Sequence, residues 1–191
     1  MWKAFSWLLV GGLLAGCASP PPPPATSTAK APPAPVAVPG PVASPLRPFH
    51  HDGGFLQCVP YAREVSGVRI FGDAWTWWDK AEGAYPRGSQ PRVGAVLAFG
   101  KSRVLRLGHV AVVSRLVGAR ELTVTHANWG STKATRGVIH HDQPVIDVSP
   151  DNDWTRVRLM NTAGGFGKVY PALGFIYPDD IYPDEAQQAA R

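Results

Sequence analysis

The sequence predicts an α+β domain in which N-terminal helices pack on an antiparallel β-sheet. Helix signals lie together in residues 58–82, strand signals follow one another from residue 94, and Gly, Asn, Asp and Pro separate the short strands. Helices that precede a run of strands are typical of α+β folds, because parallel sheets need a helix between successive strands. The 191 residues are enough for one domain of ordinary size.

The first helix is placed by Pro60. Proline fixes φ and lacks an N–H group, so it suits the first turn of a helix and few later positions. A helix is therefore expected to begin at or just before Val59 and to end at Ser66-Gly67. Cys58 then lies at the helix N-terminus, where unpaired N–H groups and the helix dipole favour a thiolate. Cys58 is a candidate nucleophile.

A second helix is predicted over residues 74–82, between Asp73 as N-cap and Gly83 as the stop. Helical spacing leaves Trp77 outside the face that this helix should bury. That face is formed by Ala74, Trp75, Trp78 and Ala81.

Strands are expected from residue 94 to residue 177. Each is a short run rich in β-branched or aromatic residues and ends at a turn signal. The predicted strands are 94–99, 109–114, 121–128, 137–140, 154–159 and 169–177.

Residues 1–17 have the features of an export signal. Lys3 precedes an apolar stretch, residues 4–14, that is too short to span a bilayer comfortably. The stretch leads into Leu-Ala-Gly-Cys17, which resembles the lipobox of bacterial lipoproteins. The resemblance implies a lipid on Cys17 that anchors an exported protein to a membrane; an ordinary cleaved or membrane-anchored signal is the alternative. Ala18 implies the outer membrane, facing the periplasm, if the source is Gram-negative.

Residues 18–48 are predicted to be a disordered linker. The stretch is rich in Pro and Ala, so it cannot bury a core and favours an extended polyproline II conformation. The folded domain is expected over residues 49–178, and residues 179–191 form a polar C-terminal tail.

Charge and cysteine content narrow the possible functions. The formal net charge of +5 is modest, and basic residues do not alternate with aromatic ones as they do in nucleic-acid-binding proteins. If Cys17 carries a lipid, Cys58 has no cysteine partner in the chain. A lone thiol in an oxidising compartment is a liability unless it has a use. The sequence gives no oligomeric state.

A thiol nucleophile needs a base, and the base needs a partner that fixes its tautomer. His109 opens a predicted strand, and His126 and Asn128 lie near the end of the next one. If these strands form a hairpin, His109 lies close to His126 or Asn128. Cys58, on a helix packed against this sheet, can then meet His109.

These residues resemble the CHAP domain, the cysteine, histidine-dependent amidohydrolase/peptidase. The resemblance covers essentially the whole folded part. It is carried by Gln57-Cys58-Val59, Gly94-Ala95-Val96, Gly108-His109-Val110, Ala127-Asn128 and Gly174-Phe175-Ile176. It implies a papain-like fold and cleavage of an amide bond in peptidoglycan, by an amidase or an endopeptidase without a metal or other cofactor. Cys58 matches the nucleophile and His109 the base.

One position departs from the family pattern. The family commonly has an acidic residue two positions before Asn128, and this chain has His126 there. A neutral imidazole can still orient His109, although it stabilises an imidazolium less than a carboxylate does. Asn128 is also expected near His109. The oxyanion is expected to be held by the Cys58 backbone N–H and by Gln57.

Other interpretations remain open. Cys58, His109 and His126 could be three zinc ligands, although no short ligand spacing supports this. The protein could be a non-catalytic lipoprotein that binds the cell wall, or a CHAP amidase that acts on a small-molecule amide. The adjacent pairs His50-His51 and His140-His141 are expected at the surface, because neighbours in an extended chain point to opposite faces.

Overall fold

The computed structural model describes residues 46–161 and 163–179. The predicted signal with its lipidated Cys17 lies outside these residues, as do nearly all of the predicted linker and all of the tail beyond residue 179. Within them, no helix is long and apolar enough to cross a membrane.

Two short helical segments precede seven strands. Helix α1 is Cys58–Ser66, and a 3-10 turn, Ala74–Thr76, leads directly into α2, Trp77–Lys80. The strands are β1 Arg87–Gly88, β2 Val96–Phe99, β3 His109–Gly118, β4 Glu121–Ala127, β5 Ile139–Asp147, β6 Arg156–Met160 and β7 Phe166–Ile176.

The strands form one antiparallel sheet that closes into a barrel. Their order is β1-β7-β2-β3-β4-β5-β6, and β6 also pairs with β7. Closure is possible because β7 is long: its end pairs with β2 and its beginning with β6. The predicted combination of N-terminal helices and an antiparallel sheet is confirmed in outline. The helices are fewer and shorter than expected, and the closure was not predicted.

Helix α1 begins at Cys58, as Pro60 indicated, and ends at Gly67. Gly67 adopts the left-handed conformation, with φ of 81°, and its N–H donates to the Arg63 carbonyl at 2.9 Å. The buried face of α1 packs against β3 and β4. This contact fixes Cys58 relative to the sheet.

The face assigned to the second helix was wrong. Trp77 is fully buried, whereas Trp75 and Trp78 are half-buried. The segment starts as a 3-10 turn, which has about 3.0 residues per turn, so a pattern based on 3.6 residues goes out of phase. Trp75 and Trp78 instead carry Lys101 and Arg87 on their rings, at 3.5 Å and 4.9 Å.

Both faces of the sheet near its centre are covered. Along β2, Val96 and Ala98 contact the helices, whereas Leu97 and Phe99 pack among residues from the other strands. The same alternation in β3 puts Ala111 and Val113 with Leu97, on the inner face. His109 belongs to that inner set by position, which explains how a histidine can be almost fully buried.

Candidate active site

Cys58 opens helix α1 and borders a cleft of about 1030 Å³. The thiol is unpaired and partly buried. Backbone N–H groups of Val110 and Val59 lower its pKa, but burial has the larger effect and raises the pKa above 9.0. The expectation that the helix end would favour a thiolate is therefore not met in this state. Cys58 rests as a neutral thiol.

His109 reaches the same cleft from the start of β3. It follows Gly108, which has φ of 68°, and a Cβ there would lie 2.6 Å from the backbone nitrogen of Trp75 and 2.9 Å from the carbonyl oxygen of Phe99. Only glycine fits this close approach without strain. The tight turn thus places His109 at the very start of strand β3.

A chain of hydrogen bonds runs from His109 across the barrel. His109 Nε2 lies 2.7 Å from His126 Nδ1. His126 Nε2 bonds the side-chain oxygen of Gln143, and the Gln143 amide group donates to the Met160 carbonyl. The four residues lie on β3, β4, β5 and β6, so each of four successive strands supplies one member. Because Nε2 of His109 is hydrogen-bonded to His126, Nδ1 is the ring nitrogen of His109 that can accept a proton from a thiol.

Asn128 does not join this chain. Its Nδ2 donates to Gln57 Oε1 at 2.7 Å, and its Oδ1 accepts from the Gly137 N–H at 3.0 Å. Strand β4 ends at Ala127, and Asn128 takes the left-handed conformation with φ of 60°. The alternation of a strand therefore stops before Asn128, and its side chain turns toward Gln57. Since Gln57 Oε1 accepts this bond, its amide NH₂ group is left to donate elsewhere.

The family model of the CHAP domain matches residues 49–128. Residues 49–128 are thus similar to a CHAP domain. CHAP domains are generally hydrolases of the amidase or peptidase type, and the family implies peptidoglycan as substrate. The match includes Cys58, His109 and Asn128 and stops before β5. The predicted limits of the domain, residues 49 and 178, stay a prediction. No curated protein matches the chain.

Burial keeps His109 and His126 neutral. It lowers the pKa of His109 well below 6.5, with smaller contributions from His126 and His140. Burial also lowers the pKa of His126 to about 4, although the bond to Gln143 opposes this and His140 adds to it. The site therefore rests as a thiol beside a neutral imidazole pair.

His140 was wrongly expected at the surface. It is half-buried, is paired with His126 in the β4–β5 register, and has its ring centroid 5.6 Å from that of His126. Its Nε2 bonds the Thr135 carbonyl oxygen at 3.0 Å. His141, His50 and His51 are exposed, as predicted.

Sequence reasoning missed Trp129, which covers the histidines. Its ring centroid lies 4.8 Å from that of His109 and 5.4 Å from that of His126, and Tyr170 packs on it at 5.1 Å. Trp129 is 8% exposed. Its aromatic surface shields the bond between the histidines from water. The available signal was a tryptophan directly after the asparagine that ends the predicted strand 121–128.

Gln143 was also missed, because no strand was predicted at its position.

Among residues 46–161 and 163–179, no group of three or more His, Cys, Asp or Glu side chains is arranged to hold a metal ion. Both ring nitrogens of His126 are occupied, by His109 and by Gln143. The zinc interpretation therefore lacks its third ligand in this arrangement.

Proposed function

We propose that this protein is a cell-wall hydrolase that cleaves an amide bond of peptidoglycan, with Cys58 as nucleophile and His109 as base. The proposal is supported by the position of both side chains on one cleft, where the Nε2 atom of His109 is hydrogen-bonded to His126. A thiol, a base with a free ring nitrogen and a partner that orients the base are the parts that thiol-dependent acyl transfer requires. The family supports the substrate.

In the first step, sulfur attacks the amide carbonyl carbon while His109 Nδ1 accepts the thiol proton. The C–S bond forms and the carbonyl electrons move onto oxygen. Two donors support the resulting oxyanion: the Cys58 backbone N–H at the start of helix α1, and the NH₂ group of Gln57. Asn128 holds Gln57 in the orientation that leaves this NH₂ group available.

In the second step, the imidazolium of His109 protonates the leaving nitrogen as its C–N bond breaks. An amine leaves and a thioester remains on Cys58. Water, deprotonated by His109, then attacks the thioester, and the carboxylic acid product leaves as the thiol is restored. His126 accepts a hydrogen bond from Nε2–H of His109 during both steps, so the His109 ring keeps its orientation.

The location of the protein is part of this proposal. The lipobox-like sequence at Cys17 supports a lipid anchor, and the Pro- and Ala-rich composition of residues 18–48 supports a tether. At about 3 Å per residue, this tether could carry the domain several tens of ångströms from the lipid surface. A cell-wall polymer beyond the membrane lies within that reach. In a Gram-negative cell, the anchor would be in the outer membrane, with the domain facing the periplasm.

The test is digestion of purified peptidoglycan by the full-length protein, followed by mass spectrometry of the released fragments. Wild type should release fragments with one new amine and one new carboxylate, and Cys58→Ala should release none. Thermal unfolding of both proteins checks that the variant is folded. Release by Cys58→Ala would contradict the proposal. If wild type binds peptidoglycan and releases no fragments, a non-catalytic lipoprotein is favoured. If it cleaves only small amides, a CHAP amidase that acts on a small-molecule amide is favoured.

A further inference from the structure

The charged side chains that form the rim of the cleft are mostly positive. Asp73 is the single carboxylate among the lining residues, and the four cations are Arg103, Arg106, Arg136 and Lys168. The full sequence is far more balanced, with 19 basic and 14 acidic residues. Within residues 46–161 and 163–179, no ion pair involves any of the four cations. Their charges are available to a ligand.

These cations approach the cleft from three segments. Arg103 and Arg106 lie in the connection between β2 and β3, Arg136 in that between β4 and β5, and Lys168 in β7. The guanidinium of Arg136 lies over the ring of Phe55, 5.6 Å from its centroid. Stacking of this kind holds the guanidinium plane and leaves its N–H donors free. Because the thiol and both imidazoles are neutral, the rim sets the electrostatic potential of the cleft.

We infer, given the proposed function, that the cleft selects peptides carrying a free carboxylate close to the amide bond that is cut. Guanidinium groups bind carboxylates through paired, charge-assisted hydrogen bonds. A peptide fits better than a phosphate polymer, because the proposed reaction brings a peptide amide to Cys58, which lines the same cleft as these cations. The carboxylates of the substrate itself then meet the rim.

The test uses two synthetic wall peptides that differ only in having free carboxylates or carboxamides. Wild type should show a kcat/KM about ten-fold higher for the carboxylate peptide, equivalent to one charge-assisted hydrogen bond. Arg106→Gln and Arg136→Gln should each reduce this ratio, and added salt should reduce it in wild type. Arg158→Gln removes the same charge from an exposed position on β6 outside the cleft, so it should leave the ratio unchanged.

Binding of the same peptides to Cys58→Ala measures selection without turnover. Equal affinity for the two peptides would overturn the inference. Inhibition of wild type by inorganic polyphosphate would in that case indicate that the cations bind a phosphate polymer. Preference for the carboxylate peptide in Cys58→Ala, together with no cleavage by wild type, would support the selection and reject the proposed function.

A second inference comes from the buried bonds of Gln143. The Met160 carbonyl can only accept, so the NH₂ group of Gln143 faces it and the amide oxygen faces His126. That oxygen can only accept, so His126 carries a hydrogen on Nε2. A neutral His126 then has a lone pair on Nδ1, and His109 must donate through Nε2. The lone pair of His109 is left on Nδ1.

We propose that Gln143 is a positioning residue that fixes the tautomer of His109 through His126. The Met160 main-chain carbonyl anchors the direction of the chain, because it cannot reverse from acceptor to donor. Gln143 lies on β5, beyond the stretch that matches the CHAP domain, and is itself buried. The role of His109 as base, part of the proposed function, is the condition for any effect on turnover.

The tautomer can be measured without turnover, by nitrogen NMR of ¹⁵N-histidine-labelled Cys58→Ala. Both buried histidines should carry the hydrogen on Nε2. Gln143→Leu, introduced into this protein, should give mixed tautomers, and Gln143→Met, which is unbranched, is the alternative if the leucine variant does not fold. With Cys58 present, the Gln143 variant should lose kcat by about 10- to 100-fold with little change in KM.

Two results would overturn the role of Gln143. One is a hydrogen on Nδ1 of His109 in the protein with native Gln143. The other is an unchanged tautomer in a folded Gln143 variant. If this second result is accompanied by a fall in kcat, the effect of Gln143 on turnover is purely structural.

Discussion

The Nε2 atom of His109 lies 2.7 Å from Nδ1 of His126, so one buried imidazole directly supports another. The acceptor is neutral, and it therefore adds no negative charge to stabilise a protonated His109. His109 is held in orientation and shielded by Trp129, but its pKa stays low. Orientation, rather than charge, is what His126 supplies.

Substitution of His126 should therefore impair turnover more than binding. His126→Ala removes the acceptor behind His109, and kcat should fall by at least about 100-fold with KM nearly unchanged. His126→Gln keeps an oxygen that can accept from Nε2 and should retain more activity. Steady-state kinetics on a soluble wall peptide provides the measurement, with exposed His50→Ala as the control. Equal activity of His126→Ala and wild type would contradict the role of His126.

Gln57 and Asn128 should behave as one unit. Gln57→Ala removes the proposed oxyanion donor, and kcat should fall by about 10²- to 10³-fold. Asn128→Ala should produce part of this loss, because Gln57 is then free to turn away. In a double-mutant cycle, the double variant should be no worse than Gln57→Ala alone. Additive losses would show that Asn128 acts independently of Gln57.

The thiol should react mainly in alkaline solution. Burial raises the pKa of Cys58 above 9.0 and lowers that of His109, so the neutral pair is favoured over a thiolate–imidazolium pair. The rate of alkylation by iodoacetamide, followed by mass spectrometry, should keep rising with pH beyond 9.0. His109→Ala should change this profile little. A rate that is already constant in mildly acidic solution would indicate an ion pair instead.

Folding stability should fall in mild acid. His109 and His126 are neutral in the folded protein and take up protons on unfolding below pH 6.5. The unfolded chain then binds more protons, so the free energy of unfolding should fall as pH drops from 6.5 toward about 4. The slope is on the order of 1.4 kcal/mol per pH unit for each imidazole.

Urea unfolding at several pH values between about 7 and about 5 measures this slope. His126→Gln removes one of the two imidazoles and should make the dependence shallower, whereas exposed His50→Gln should not. An unchanged slope in His126→Gln would show that its ionisation is not linked to folding.

Local signals in the sequence located part of the site. Pro60 placed the start of α1, and hairpin geometry brought His109 beside His126. Gln143 escaped because the His-His-Asp-Gln-Pro segment lacks an alternating pattern, and pairing with β4 imposes strand structure there. Asn128 bonds Gln57 and not His109 for a local reason, since its left-handed backbone ends the alternation of strand β4.

The hydrogen-bond chain behind His109 requires residues from β3 through β6. During synthesis, Cys58 leaves the ribosome long before Met160, so the nascent chain carries its thiol without an oriented base. The proposed reactivity toward amides therefore requires completion of the barrel. Under the proposed export, a chain that stays unfolded until it has crossed the membrane would have no oriented base inside the cell.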